Sequence, residues 1–470
     1  MSYPKYTDSA DVRDAPPHPR HWARLRLKDV ITRIRGGATP TSNEPAFWGG
    51  PIQWATAVDF DGSGDITSTK RTLTALGLRS CSAEVFPVGA IVVTSRAPVG
   101  KVAVASIELA TSQGCKAIEP DPRNVHSRFL SYLLGSMECS IQSHATGTTF
   151  MELSTDGFAR LPLSVPPLGE QAAIVKYLGH AHARIDRAIA AKRKMIALLE
   201  EQKRAIIHQT VTRGLDPSVP LKDSGIPWLG QIPAHWEAER LGWHVDLLTG
   251  FPFESVGFAS GPDTTRLLRG INVGVDVVRW DDVVGWPEHA TESADRYSLR
   301  VGDLVLGMDR PVVGSGVRVA QLGPTDLPSL LVQRVARIRP RATALAGWVK
   351  FLLAGSGFQD YLAPIFTGIS VPHLSPSQIR DFVVPVPAVS EQREILAHIH
   401  EHSATTAKTI DRARQEVELL REFRARLTSD VVTGQVDVRE IATTLPELTD
   451  ALPEVDDELD EFLDAESGHR

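Results

Sequence analysis

The feature that most constrains the fold of this chain is an internal repeat. Displacing the sequence by 221 residues brings Gly147 onto Gly368, Leu153-Ser154 onto Leu374-Ser375 and Pro166 onto Pro387. The same step carries Glu170-Gln171 onto Glu391-Gln392, Ile174 onto Ile395, Leu198-Leu199 onto Leu419-Leu420 and Val211-Thr212 onto Val432-Thr433. Upstream the match continues with small insertions. Asp8-Ser9 and His21-Trp22 return as Asp223-Ser224 and His235-Trp236, Val88-Gly89 as Val301-Gly302, and Gln113 as Gln333. A chain built as two copies of one module is a pseudo-dimer, suited to a target with two similar but non-identical halves.

At 470 residues the chain has room for several cores. The repeat resolves this into two modules, each with a globular part and a helical part. Residues 1–24, rich in Pro and His, read as an irregular leader. From about Leu25 to Val165, short β-like runs (Ala90–Thr94, Val102–Val104) alternate with turns and a helical stretch near Ser127–Leu134, the pattern of an α/β domain. The prolines of Leu163-Ser-Val-Pro-Pro-Leu-Gly-Glu-Gln171 then announce a helix over about 169–212. Ile174, Leu178, Ala181, Ile185, Ala188, Lys192, Met195, Leu199, Gln202 and Ile206 repeat at 4-3 spacing with eight of ten apolar, which predicts a coiled-coil seam. At ~1.5 Å per residue this is a rod of about 60 Å. Arg213-Gly214-Leu-Asp-Pro217 stops it.

After a Pro/Gly-rich linker, a second globular domain spans 237–386 and a second long helix about 390–433. The equivalent seam (Ile395, Ile399, His402, Thr406, Thr409, Ala413, Glu416, Leu420, Phe423, Leu427) is polar in its middle. Two helices with one apolar stripe each need partners, and the nearest partner of each is the other. They are expected to pair antiparallel.

The net charge of −7 looks unfavourable for a nucleic-acid partner, but it is unevenly spread. Residues 445–470 hold ten acids against Arg470 alone, so that segment carries −9 and the remainder +2. The body is therefore compatible with DNA binding, and the tail reads as a disordered solubilising segment. No apolar run of membrane-spanning length and no signal-like start is visible, so a cytoplasmic protein is expected. Cys81, Cys115 and Cys139 lack CxxC spacing and read as packed thiols.

Catalytic signatures are missing from the pattern. Ala97-Pro-Val-Gly-Lys-Val102 lacks the Ser/Thr and the spacing of a phosphate-binding loop, and no dinucleotide fingerprint, HExxH or Asn/Asp-Pro-Pro-aromatic run occurs. His398 and His402 share a helix face but lack the further ligands a metal needs. No metal and no cofactor is expected in this chain. Glu170-Gln171 could be a helix start alone, and the recurrence at Glu391-Gln392 points to a shared structural or docking role.

These residues resemble the specificity subunits of Type I restriction–modification systems. The resemblance rests on Val165-Pro-Pro-Leu-Gly-Glu-Gln171, on Val386-Pro-Ala-Val-Ser-Glu-Gln392, and on the linker from Gly214 to Trp236, of which Tyr3–Trp22 is a worn copy. Gly36-Gly-Ala-Thr-Pro40, Trp48-Gly-Gly50 and Trp54 resemble the opening of a target recognition domain, and Gln333-Arg-Val-Ala-Arg-Ile-Arg-Pro340 does so in the second copy. The resemblance implies a mixed α/β fold with two α/β target recognition domains, joined by two long antiparallel coiled-coil helices in a pseudo-two-fold repeat. The implied order is a leader (1–24), recognition domain 1 (25–165), central long helix (166–213), linker (214–236), recognition domain 2 (237–386), C-terminal long helix (387–438) and acidic tail (439–470). It further implies a non-catalytic chain that reads a two-part asymmetric site on double-stranded DNA. Its partners would be two adenine methyltransferase (modification) subunits, which hold the S-adenosylmethionine, and in some complexes restriction subunits. Glu170, Gln171, Glu391 and Gln392 would dock a partner subunit or a helix. The polar middle of the second seam and the acidic tail depart from the family pattern.

Duplex binding needs Lys/Arg against phosphates and a few polar groups at base edges. In the first domain the candidates are Thr39, Lys70, Arg71, Arg96 and Lys101. In the second they are Arg266, Arg269, Asn272, Arg310 and Arg318. Any one of them can equally be a solvated surface charge; the occurrence of basic loops at matching places in both copies is what raises them. Gln113 and Gln333 fall in strand-like contexts, where a structural role is expected. Two other classes compete: a coiled-coil protein-binding adaptor without DNA readout, and a self-sufficient enzyme, against which the missing cofactor motifs argue.

Overall fold

In a computed structural model of the chain, residues 5–6, 9–12, 15–146, 152–287, 292–314, 316–366 and 372–447 are described. They form two compact units. The first takes the described residues up to Lys192 and from Gln415 on; the second takes Arg193–Arg414. Each unit thus owns one sheet domain and half of each long helix. From residue 448 on, the acidic tail lies outside the described residues, as does the Gly147/Gly368 match.

The first unit is built on β1 (Ile31–Gly36), β2 (Trp48–Ala55), β3 (Ile91–Thr94), β4 (Val102–Ala105), β5 (Leu109–Thr111) and β6 (Cys115–Pro120). A five-stranded sheet runs β1-β6-β3-β4 and ends on Asp65–Ile66. A three-stranded sheet runs β5-β2 and ends on Thr72–Leu73, with β5 parallel to β2. Every residue of β3 is buried, which is why it reads as a continuous apolar run without alternation. Phe129, Leu130, Leu133 and Leu134 of the helix Ser127–Ser136 help fill the main core beside it.

The second unit repeats the plan with β7 (Val245–Thr249), β8 (Thr264–Leu268), β9 (Leu304–Gly307), β10 (Val319–Gln321), β11 (Ser329–Leu331) and β12 (Val335–Pro340). Its larger sheet runs β7-β12-β9-β10, and β8 again pairs parallel to its neighbour, β11. Each domain closes on an antiparallel pair of its own ends, Ala23–Arg26 with Pro162–Val165 and Glu237–Arg240 with Val383–Val386.

The N-terminal leader is more ordered than its composition implied. Ser9–Val12 pairs antiparallel with Ala15–Pro19, as Leu221–Asp223 pairs with Gln231–Pro233 in the second unit. Prolines are tolerated there because a two-stranded pair is all edge.

The long helices are α1 (Leu168–Arg213) and α2 (Val389–Val432). Gly214 and Gly434 follow them at φ +73° and +76°, the left-handed turn that ends a helix most cheaply with glycine. Each turn lies against the tryptophan of a His-Trp pair. A Cβ on Gly214 would sit 3.3 Å from the Trp236 ring, and one on Gly434 3.1 Å from the Trp22 ring.

The helices run antiparallel within each unit. In the first, His182 meets Thr428 (2.8 Å), Asp186 meets Arg424 (2.9 Å) and Lys192 meets Glu416 (2.7 Å). In the second, Glu200 meets Arg414 (3.0 Å) and Ile196 packs with Ile410 and Ala413. The stripe is not the strict 4-3 seam of the sequence reading. In α1, Ile189 and Ile196 are buried where Ala188 and Met195 were expected, and in α2, Ile410 and Val417 replace Thr409 and Glu416. Phe423 is exposed. A straight α-helix drifts by about 20° per heptad against a 3.5-residue repeat, so over several heptads the facing position slips by one residue. Ile399 to Ile410, the step across the polar middle of α2, is the 11-residue spacing of three helical turns.

Candidate nucleic-acid interface

The two units hold the same loop cluster at one end of their sheets. Gly37 follows β1 and Gly250 follows β7. The Gly37 N–H donates to Cys115 O and the Gly250 N–H to Val335 O, both at 3.1 Å. One residue on, Ala38 N–H donates to Thr111 O and Phe251 N–H to Leu331 O, both at 3.0 Å. A Cβ on Gly37 would lie 2.1 Å from Thr111 O, and one on Gly250 2.1 Å from Val332 O. No side chain fits, so the strand end presses directly on the turn behind it.

That turn carries Gln113 in the first unit and Gln333 in the second, both exposed. The strand-like setting expected for them is therefore corrected: each sits in the turn between β5 and β6 or between β11 and β12. Matching bonds tie further segments to it. Ser112 N–H donates to Ala55 O and Val332 N–H to Leu268 O (2.9 and 3.1 Å). Ser95 N–H donates to Gly114 O and Met308 N–H to Arg334 O (2.7 and 2.9 Å). Leu153 N–H in turn donates to Ser95 O, and Leu374 N–H to Met308 O (3.0 and 2.8 Å).

One further segment is a 3-10 turn after β2 and β8, Ala57–Asp59 and Gly270–Asn272. Asp59 accepts from Thr56 N–H (2.7 Å) and Asn272 from Arg269 N–H (3.0 Å), so both turns are braced alike. Each presents one aliphatic side chain to solvent, Val58 and Ile271, both 65 % exposed.

On this common frame the polar side chains differ. In the first unit Arg96 pairs with Glu152 at 3.2 Å, with side chains 48 % and 45 % exposed. In the second, Asp309 pairs with His373 at 2.6 Å and with Arg334 at 3.0 Å. Burial pushes the Asp309 carboxyl up, but the hydrogen bonds from His373 and Arg334 together hold it below the ordinary carboxylate range. Lys116 is buried beside the first pair, donates to Thr155 Oγ1 (3.1 Å) and is pushed below the usual lysine value by that burial.

The residues proposed from sequence fall into two groups. Arg96, Lys101, Lys70, Arg71 and Arg310 are exposed. The Arg71 guanidinium lies 3.5 Å from the centroid of the Trp48 ring and 5.5 Å from that of Trp54. Thr39 donates to Gln113. Two readings are corrected. Asn272 is buried, with its oxygen taken by Arg269 N–H and its amide donating to Arg279 O and Asp282 O (2.9 and 3.3 Å), so it braces a turn and does not face a ligand. Arg318 donates to Val273 O and Asp309 O (both 2.9 Å) and to Gly270 O, so its fork ties two loops together. Arg266 and Arg269 are partly exposed but anchored, the first to Thr325 O and Leu327 O and over Trp280, the second to Asp282.

The repeated Glu-Gln pairs brace each long helix against its own domain. Gln171 accepts from His126 N–H (2.7 Å) and donates to Asn124 O and Pro166 O (3.1 and 2.8 Å). Gln392 accepts from Leu345 N–H (2.9 Å) and donates to Thr343 O and Pro387 O (3.0 and 2.9 Å). Glu170 accepts from Tyr6, from Trp22 Nε1 (3.0 Å) and meets His21 (2.7 Å); Glu391 meets His235 (3.0 Å). Tyr6 is pushed well above the usual tyrosine value by burial, with its hydrogen bond to Glu170 adding to the shift. Sequence reasoning missed Glu152, Asp309 and His373, although the repeat offset does align Glu152 with His373.

Two sheet domains carrying one loop frame, linked through paired long helices, define a duplicated recognition module. Residues 19–200 match the model of the Type I restriction modification DNA specificity domain. Among curated proteins, the chain is similar to the Type I restriction enzyme MjaVIII specificity subunit of Methanocaldococcus jannaschii, 26 % identical over 67 % of this chain and 71 % of the relative. It is also similar to the MjaIX specificity subunit of the same organism, 24 % identical over 90 % of this chain and 95 % of that one. A solved chain from work on complex assembly and conformational transition of the type I R-M system shares its fold, with a TM-score of 0.65 and 19 % identity over 89 % of this chain and 99 % of that chain. The chain is thus similar to Type I restriction–modification specificity subunits.

Proposed function

We propose that this chain is the DNA-recognition subunit of a Type I restriction–modification complex, reading a bipartite, asymmetric duplex site with one half assigned to each unit. The observation that carries this is the duplicated loop cluster: the backbone frame is the same in both units and the exposed side chains on it differ. A shared frame supports the same mode of approach to a duplex, and different side chains support different half-sites. Exposed Arg96, Lys101, Lys70 and Arg71 in one unit and Arg310 and Arg334 in the other supply phosphate or base donors.

In this reading the chain performs no bond chemistry. It holds modification subunits over adenines in the site, and S-adenosylmethionine is bound on those subunits. Restriction subunits join in complexes that cleave. The antiparallel helices set the gap between the half-sites. Among the described residues no helix is long and apolar enough to cross a membrane.

The test is to map methylated adenines in DNA exposed to the modification subunit with this chain, without it, and with residues 237–386 exchanged for another recognition domain. The expected result is a two-part motif that requires the chain and changes in one half only on exchange. Motif-independent methylation, or a motif unaltered by the exchange, favours the adaptor class and overturns the reading.

A further inference from the structure

The loop frame carries a paired, charged side chain at the same place in both units, Arg96 in one and Asp309 in the other, so the sign of the charge there is reversed. Glu152 and His373 are equivalent by the 221-residue offset. Arg96 and Asp309 are equivalent because Ser95 and Met308, one residue before them, make the same backbone bonds to Gly114 and Arg334 and receive the same bonds from Leu153 and Leu374. The first unit therefore places its cation on the loop after β3 and its anion at Glu152. The second places its anion, Asp309, on the loop after β9, with His373 as its hydrogen-bond partner at the Glu152 position and Arg334 as the cation that pairs with it.

We propose that these pairs read bases, and that their reversed polarity is one source of the asymmetry between the two half-sites. The inference rests on the DNA-recognition reading above and goes further by naming the positions that discriminate. Both pairs are about half exposed (48 % and 45 %; 48 % and 36 %), and an exposed ion pair adds little to stability. Nothing in the fold therefore demands either polarity. A carboxylate cannot serve a phosphate, because like charges repel. In a DNA-facing loop its productive partner is an exocyclic amino group, cytosine N4 or adenine N6. An arginine in the same place is matched to guanine O6 and N7. Arg96 thus assigns a guanine, and Asp309 an amino-bearing base, to corresponding positions of the two half-sites. Glu152 in one unit and His373 and Arg334 in the other orient these side chains.

The experiment uses the full chain assembled with its modification subunit and S-adenosylmethionine on a randomised DNA library, with the methylated sequences read out. Two variants reverse the pairs in place, Arg96→Glu with Glu152→Arg, and Asp309→Arg with His373→Glu. Each is expected to change base preference by about tenfold or more at one position of one half-site, the other half staying as in the parent. Arg96→Gln with Glu152→Gln, which removes both charges and keeps polar side chains, should relax that position without inverting it. Its thermal melting point and complex assembly should match the parent, which covers the case of a reversed variant that does not fold. Unchanged discrimination in the neutral variant and in whichever reversed variants assemble overturns the proposal and leaves the pairs as surface braces. Loss of all methylation in a folded, assembled neutral variant also overturns it, because a reader of one base leaves the remaining contacts intact. If the parent chain itself directs no sequence-specific methylation, the failure lies with the recognition reading instead.

Discussion

At the scale of single residues, the structure separates side chains that face outward from those that hold the frame, and the distinction was only partly legible. Arg96 and Arg318 are both basic residues in turn-rich segments after a strand, and nothing local tells them apart. Only the fold shows that three carbonyls take up the Arg318 fork while Arg96 stays half exposed. Gly37 was readable as part of Gly36-Gly-Ala-Thr-Pro40, but its physical reason is a backbone oxygen 2.1 Å from where a Cβ would be. Gly37→Ala and Gly250→Ala are each expected to destabilise their own unit by about 1–3 kcal/mol, the usual penalty for overpacking. Thermal unfolding measures this, and the methylated motif should degrade only in the half served by the altered unit. A buried histidine gives a second prediction. His182 is hydrogen-bonded to Thr428 and edge-on to Tyr132 at 5.3 Å, and burial, aided by Arg424 and Arg128, pushes it down to about 4. The unfolded chain binds this proton near pH 6.5 and the folded chain only near 4, so the stability it contributes is whole above about 6.5 and lost as pH falls towards 4. The loss should approach roughly 3 kcal/mol at pH 4. His182→Leu should flatten that part of a urea-denaturation series against pH, and an unchanged slope would place the acid sensitivity elsewhere.

At the scale of elements, the long helices were the most legible part of the chain, and their facing stripe was the least. Length, start and stop follow from the prolines before α1, the apolar periodicity and Gly214, all local signals. The stripe depends on how two helices wrap each other, and the 4-3 template carried from Ile174 and Ile395 falls one residue out of step by Ile189 and Ile410. The two registers make opposite predictions. Ile410 is buried against Ile196, while Thr409 is exposed. Ile410→Asp should cost about 3 kcal/mol or more by placing an unpaired charge between helices, whereas Thr409→Asp should stay within about 0.5 kcal/mol of the parent. Urea unfolding followed by circular dichroism distinguishes them, and the reverse ranking would restore the strict heptad seam. The polar middle of α2 then has a simple account: His402, on the expected seam, is exposed and the helix pair needs no apolar group there.

At the scale of the whole molecule, the repeat is plain in the amino-acid sequence, and with it the duplicated α/β plan and the antiparallel pairing. The way the repeat is shared out is not, because it depends on contacts between segments more than 200 residues apart. The first unit does not end with α1. Its main core includes Leu427, Val431, Val432, Val436 and Val438, all contributed from α2 and the segment after it. A fragment ending at Arg213 would therefore expose the apolar groups these five residues cover, at a cost on the order of 1.5–3 kcal/mol for each large side chain left unburied. The fragment does contain a substitute for part of this cover, since Ile206 and Val211 are the repeat equivalents of Leu427 and Val432. Leu198-Leu199 and Val211-Thr212 are the repeat equivalents of Leu419-Leu420 and Val432-Thr433. Within one copy this stretch continues the helix away from its own domain, so it can serve as cover only for a second copy. Residues 1–213 are accordingly expected to form a symmetric dimer, each copy lending residues 193–213 of α1 to its partner's core. Light scattering coupled to size exclusion should give twice the fragment mass, and Val211→Asp should convert the dimer to unfolded or aggregated chain. A folded, stable monomer of this fragment would show that the core is complete without the α2 segment and that the sharing of helices between units is incidental.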